Sequence, residues 1–475
     1  MAHPSDSIIK NVSLLAGGAA TAQVILLLFS PILTRLYSPV ELGLLGVFLS
    51  IVMIANSFSS LQYQIAIPIA RSSGESNNLI GLCVFYLFTT TLLILIGLIF
   101  IGPLFFNVLN VPELFGYSPI LVIAILLLGL FQILRFWSIR VKQFKLLARF
   151  KIAQAIVTIA IQSVAFPTGA LALILGITIG RSAGLLSILR SLVAHPEVTT
   201  KNITLKRMCA MASRHKRYAK FATPGTLLNE VGQQLPLLML SSQFGAGVAG
   251  WFVLAQRALA VPMTTIGVSV AEVFLSEVKS HQDSGKLKEA VIDLHLTLTR
   301  LVVPGIAILF LMASDLFSLV FGSNWRHSGV MISILCPMFM VQFITFPLSG
   351  VMILLWRDKD RFVFQVTMLC LRIIALTLGA KHAGYVGALV AFSAVSSFCY
   401  IVYLRHILRQ CGIKISALFS SYASTFGITC VCALPLVLLK LTTPDTNLAI
   451  ALWALGLLTL SIYYLYLVRT LMEHF

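Results

Sequence analysis

Apolar stretches of roughly 17–25 residues, long enough to cross a hydrocarbon core as helix, recur along the whole chain. They fall near 12–34, 42–64, 79–101, 119–140, 150–166, 169–189, 220–243, 248–276, 298–321, 329–355, 362–378, 384–404, 417–438 and 447–468. The polar breaks between them are short and carry turn-forming residues, as at Tyr37-Ser38-Pro39 and Pro167-Thr168-Gly169. The second of these breaks is the weakest, so the fifth block is the least secure. Within the blocks apolar residues run on without alternation, which excludes a β-barrel. Lipid leaves only helices as the other way to satisfy the backbone. The pattern predicts an all-α polytopic membrane protein of about 14 transmembrane helices.

Charge orients these helices. With the N-terminus placed in the cytoplasm, 26 of the 34 lysines and arginines fall on the cytoplasmic side and 4 outside (Arg35, Arg326, Lys381 and Lys440). Such a bias is the positive-inside pattern, and it places both termini in the cytoplasm. It also accounts for the net charge of +18 without nucleic acid; anionic lipid headgroups are the ordinary partner of such loops. Two loops concentrate the charge, RVKQFKLLARFK (Arg140–Lys151) and RHKRYAK (Arg214–Lys220), and both lie where a headgroup arriving from the cytoplasm would meet them.

Composition agrees. The 475 residues are 58% hydrophobic and 11% charged, with mean hydropathy +0.96, whereas a soluble domain is about a quarter charged. The lone lysine of MAHPSDSIIK and the span-length run after it suggest an uncleaved first helix rather than a signal peptide. Eight cysteines lie mainly in apolar blocks with no Cys-x-x-Cys pair, as small core residues do. The nine histidines fall in loops, termini or near span ends. No phosphate-binding loop, metal-ligand spacing or nucleophile elbow is present, so neither an enzyme nor a cofactor is expected.

A shift of 207 residues superposes Gly18 on Gly225, Tyr37 on Phe244, Gly43 on Gly250 and Val47 on Leu254, the weak internal similarity of a transporter built from repeats. It suggests a six-helix lobe over 1–190, a basic connector over 191–219, a second six-helix lobe over 220–404, and two appended helices over 405–475. In the sixth block Gly176, Gly180 and Gly184 are spaced four apart, a stripe on which two helices can approach closely.

Four arginines fall inside spans: Arg135, Arg181, Arg257 and Arg372. Each costs about 2.5–3.5 kcal/mol at a helix centre. Each is open to two readings, an anion-facing group or a structural one: an ion pair or carbonyl partner, or snorkelling for Arg135. Arg35 lies on the charge-poor side, after Pro31, either as an interfacial anchor or as an anion contact. Intramembrane acids are fewer. Glu230 sits mid-span, Glu272 and Asp315 near span ends; Glu230 is the candidate for binding a coupling ion, a salt bridge being its alternative. Gln23, Gln233 and Gln234 suit either sugar hydroxyls or helix–helix hydrogen bonds.

LLAGGAATAQVILLLFSPILTRLYSPVELGLLGVFLSI resembles the opening of polysaccharide-type flippases, with a first helix ending in Pro-x-Leu-Thr-Arg-Leu-Tyr-Ser-Pro and then Glu-x-Gly. Further along, Ala255-Gln256-Arg257 with Pro262, VFGSNW at Val320–Trp325, and LCLRIIAL around Arg372 are similar to elements of the second half of that family. The resemblance covers nearly the whole chain. It implies an O-antigen-type flippase of the multidrug/oligosaccharidyl-lipid/polysaccharide superfamily in a bacterial inner membrane. It would move an undecaprenyl diphosphate-linked oligosaccharide from the cytoplasmic to the periplasmic leaflet by alternating access. Exposing a diphosphate to hydrocarbon is prohibitive, so such a protein needs a hydrated cationic cavity, for which Arg35, Arg135, Arg181, Arg257 and Arg372 are the candidates. Coupling to a proton or sodium gradient and partnership with a glycan polymerase stay open. One rival is a drug/cation antiporter of the same superfamily, which would favour acidic or aromatic cavity residues. A membrane glycan polymerase or ligase would need a large outer loop, and the longest here is GPLFFNVLNVPELFGYS.

Overall fold

The computed structural model describes residues 4–195, 203–263, 267, 270–271, 274, 287–354, 358–413, 418–441 and 446–474. Every regular element among them is helical. In chain order they are α1 (Pro4–Leu36), α2 (Pro39–Phe58), α3 (Ser73–Val108), α4 (Ser118–Arg140), α5 (Phe144–Val164), α6 (Ala170–Ala194), α7 (Leu205–Arg214), α8 (Thr223–Pro262), α9 (Leu287–Phe321), α10 (Arg326–Leu348), α11 (Asp358–Gln410), α12 (Phe419–Leu441) and α13 (Thr446–His474). Glu272, Lys279 and residues 196–202 of the expected connector lie outside the described residues.

Nine described stretches are long and apolar enough to span a membrane. Two of them contain two helices each. α8 is broken at Gly245, where φ is +84°, and α11 at Ala383–Gly384, where φ turns to +59° at the glycine. Counting these as pairs, and adding α1, α5 and α13, gives fourteen helices of spanning length among the described residues. α5 carries Lys145, Arg149 and Lys151 in its first turns. The chain is a multi-pass membrane protein, and the large side chains that α3 leaves exposed, including Leu93, Ile99, Phe100 and Leu104, are suited to lipid rather than water.

One expected boundary moves. The block drawn over 42–64 ends as helix at Phe58, followed by a turn with positive φ at Leu61 and Gln62 and a short 3-10 helix, Tyr63–Ala66. Tyr63, Ala66 and Ile67 are buried against Leu79, Cys83 and Trp137. Their apolar character therefore serves a protein core, which hydropathy alone cannot distinguish from lipid. Between the fifth and sixth blocks the break is real: Gly169 has φ +63° after the short helix Phe166–Thr168.

By its packing the chain forms two units, Met1–Val253 and Leu254–Phe475. In the first, α6 lies directly on α5. A Cβ at Gly176, Gly180 or Gly184 would overlap Gln162, Thr158 or Phe150 respectively, so the glycine stripe is a helix–helix contact. The short α7, with Met208 buried, docks beside the start of α3, where Glu75 meets Arg214 at 3.3 Å and His215 at 3.2 Å.

The repeat-related glycines touch in this unit. A Cβ on Gly43 would overlap the carbonyl of Ala246, and one on Gly250 the carbonyl of Pro39. Pro39 and Ala246 are themselves 207 residues apart, so the contact is reciprocal, as a pseudo-two-fold requires. This crossing draws the start of the second helix of α8 onto α2, consistent with the first unit extending to Val253. In the second unit α9 and α10 pack closely at Gly329 on Ala313, and a core of Leu298, Phe343, Leu348, Tyr403 and Ile407 joins α9, α10 and α11.

Candidate functional site

Three helices of the first unit carry a group of cations. Phe131 and Arg135 are one helical turn apart on α4 and so share a face. Phe131 stacks on Phe150 of α5, ring centroids 4.2 Å apart, and Phe150 in turn packs on Gly184 of α6. Lys151 follows Phe150, and its Nζ lies 5.3 Å from the Phe131 centroid. The close α5–α6 contact also fixes Arg181, next to Gly180. Arg135, Lys151 and Arg181 thus lie on three helices joined through the Phe131–Phe150–Gly184 contact, and the charges of the two arginines are felt at Lys151.

No salt bridge among the described residues involves any of the three. Arg181 is only 6% exposed, and its Nη1 is buried with no hydrogen-bond partner. Buried cations are ordinarily paired, and the like charges of the group add repulsion to desolvation. Arg135 is exposed and its Cζ lies 6.0 Å from the Phe136 centroid, while Lys151 is half-buried. The arrangement holds positive potential and an unfilled donor where an anion would be bound with gain.

Lys151 was not among the candidates from sequence. It counts with a basic loop by spacing, yet the block at 150–166 already encloses it. Its placement on the structured face of α5 makes it part of the site.

The other candidates of this unit have different surroundings. Arg35 is exposed at a firmly held corner: the Tyr37 hydroxyl donates to the Gln162 carbonyl at 2.6 Å, and Ser38 and Glu41 cap α2 reciprocally. Glu230, half-buried, is hydrogen-bonded to Gln234, whose Oε1 accepts from Ser50 of α2 at 2.9 Å. It therefore has neutral polar company.

In the second unit Arg257 is exposed midway along the apolar second helix of α8. Arg372, also 6% exposed, is held by protein. Its Nε donates to Ser396 Oγ at 2.9 Å and its Nη2 to the Tyr400 hydroxyl at 3.5 Å, with the Phe392 and Tyr400 rings 5.1 and 5.7 Å from Cζ. Asp315 meets Arg326 at 3.8 Å, both exposed. His295, unremarked in the sequence, is buried in α9, with Nε2 at 2.5 Å from the Tyr422 hydroxyl of α12 and Nδ1 unpartnered. No group of three metal-ligating side chains occurs among the described residues.

Comparison with known proteins adds to this geometry. A family model described as Polysaccharide biosynthesis protein matches residues 32–329, more than half of the chain. The lipopolysaccharide biosynthesis protein WzxC of Escherichia coli (strain K12) is 24% identical over 204 residues. That alignment spans 42% of this chain and 42% of WzxC, so less than half of that relative's length is matched. Among solved structures, the lipid II flippase MurJ in an inward closed conformation has a TM-score of 0.73 at 15% identity, covering 97% of this chain and 99% of that one. An inward-facing multidrug resistance MATE family transporter of the MOP superfamily has a TM-score of 0.56 at 11% identity, covering 84% and 94%. At these identities the likeness is one of fold.

Proposed function

Because the chain belongs to the polysaccharide biosynthesis protein family, we propose that it is a flippase that carries an undecaprenyl diphosphate-linked oligosaccharide from the cytoplasmic to the periplasmic leaflet of a bacterial inner membrane. The observation that carries this reading is the uncompensated group Arg135, Lys151 and Arg181, with the buried, unpartnered Nη1 of Arg181. A diphosphate supplies what these groups lack: acceptor oxygens in the geometry a guanidinium fork matches, and negative charge that offsets the mutual repulsion. The lipid tail stays in the bilayer while the charged headgroup and sugars travel through protein.

In this reading Arg35 and Arg257, both exposed, act as further contacts along the route, and Glu230 binds a proton or sodium ion whose gradient drives the cycle. Arg372, tied to Ser396 and Tyr400, supports the structure of its unit and contributes less to substrate. Both termini lie in the cytoplasm, and a glycan polymerase takes the delivered lipid. The drug-antiporter alternative shares the fold, but three cations with no acid would repel a cationic drug.

The test is translocation of an undecaprenyl diphosphate-linked oligosaccharide in proteoliposomes. Arg181→Ala, correctly inserted, is expected to slow it by about 100-fold, the loss of one or two charge-assisted hydrogen bonds. Transport at the wild-type rate by that variant would remove the cationic-site reading. Transport that persists after both proton and sodium gradients are collapsed would remove ion coupling through Glu230.

A further inference from the structure

A second basic site lies in the first unit, at the end of α4. A pocket of about 410 Å³ is lined by Pro68, Arg140, Val141, Lys142 and His195. These residues come from the turn after the Tyr63–Ala66 helix, the α4–α5 junction and the end of α6. Three of the five bring nitrogen donors, and no acid lines the pocket among the described residues. Arg140 is fixed at its mouth, since its Nη1 donates to the Ala70 carbonyl at 2.7 Å and the Ile67 carbonyl at 3.4 Å. His195 is braced edge-on against Trp137, centroids 5.6 Å apart.

Lys142 is held there by an unusual backbone. The Gln143 N–H donates to the Ser138 carbonyl and the Lys142 N–H to the Ile139 carbonyl, the Schellman closure of a helix, with Lys142 at φ +58° in the left-handed position. That position favours glycine or asparagine. The same closure is seen at two other places among the described residues. Asn110 occupies the left-handed position where the Val111 N–H returns to Phe106, and Gly412 where the Ile413 N–H returns to Leu408. Of these three, the copy beside the basic pocket is the one that carries a lysine, against the backbone preference, and it is this residue that lines the pocket.

We propose that this pocket binds a phosphate group, supplied by the headgroup of an anionic phospholipid, at the membrane face that the charge bias assigns to the cytoplasm. The volume exceeds that of one phosphate, leaving room for a glycerol headgroup beside it. The fixed guanidinium and the lysine ammonium supply charge-assisted donors to the phosphate oxygens. The apolar Pro68 and Val141 are suited to the carbon atoms of the glycerol. The site is distinct from the Arg135, Lys151 and Arg181 group and does not rest on the flippase reading.

The test uses the full chain in detergent, titrated with phosphatidylglycerol, with phosphatidylcholine and with inorganic phosphate, bound species being counted by native mass spectrometry. Wild type is expected to bind phosphatidylglycerol at least about tenfold more tightly than phosphatidylcholine. Lys142→Gly suits the backbone while removing the charge. It is expected to raise the melting temperature and to weaken phosphatidylglycerol about tenfold, and His195→Gln to weaken it without raising the melting temperature. Inorganic phosphate that displaces the lipid at equal concentration would assign the site to the free ion and overturn the lipid source. Equal affinity for the two lipids, or full affinity in Lys142→Gly, would overturn the site itself.

Discussion

Arg181 and Arg372 are the same residue type, buried to the same extent, on apolar helices of the same chain. Their surroundings differ in every respect that matters to a cation. Arg372 has a serine, a tyrosine and two aromatic faces, so its unit is built around a satisfied charge. Arg181 has a bare Nη1 and the like charges of its group, so its charge is left without a protein partner at that nitrogen. Burial of an arginine is thus no guide to its role; the partners decide. A satisfied arginine is a structural fastener, whereas the unsatisfied one is the candidate for binding proposed above.

The contrast can be broken in four ways. The largest effect expected is on stability. Arg372→Ala removes two hydrogen bonds and two ring contacts and leaves Ser396 and Tyr400 without their donor, about 3–4 kcal/mol in all, read as a fall in melting temperature in detergent. Arg181→Ala comes next, and its effect lies in binding: affinity for undecaprenyl diphosphate falls about 100-fold, or about 2.7 kcal/mol. Its melting temperature moves by less than half the Arg372→Ala shift, because the lost volume is offset by relief of repulsion. Ser396→Ala costs about 1.5 kcal/mol, the value of one hydrogen bond to a charged group. Phe392→Leu, measured in the same melts, is the smallest at about 0.5–1 kcal/mol, one cation–π contact. If Arg181→Ala unfolds the protein as readily as Arg372→Ala, the two arginines are both fasteners and the distinction fails.

How much of this was legible beforehand depends on whether a feature is local. The helices were, because each must be apolar over its own length, and so was the glycine stripe of α6, because three glycines at helical spacing report a contact whatever its partner. The end of α2 was not, since Tyr63, Ala66 and Ile67 are apolar for burial in protein rather than lipid. The repeat brought out Gly43 and Gly250 as equivalents, but their mutual contact needs the fold. Arg372 was recognised as intramembrane, yet its partners were hidden. Ser396 lies as many residues after Gly384 as Arg372 lies before it, a relation that carries meaning only once Ala383–Gly384 is known to be the corner of a hairpin. Lys151 was hidden by the opposite fault, a loop-like run of basic residues that continues into a helix.

The reciprocal crossing of Gly43 and Gly250 shows how the first unit is packed. Two helix starts related by the repeat approach backbone to backbone, so nothing larger than hydrogen fits either position. Beside that backbone contact the same helices interlock through side chains, Val253 against Gly46 and Val40 against Gly247.

The measurement that tests the account most directly is the affinity of the purified chain for undecaprenyl diphosphate, compared between wild type, Arg181→Ala and Arg372→Lys. The account predicts a loss of about 100-fold for Arg181→Ala and a change of less than about threefold for Arg372→Lys. An affinity that survives Arg181→Ala but collapses in Arg372→Lys would contradict it.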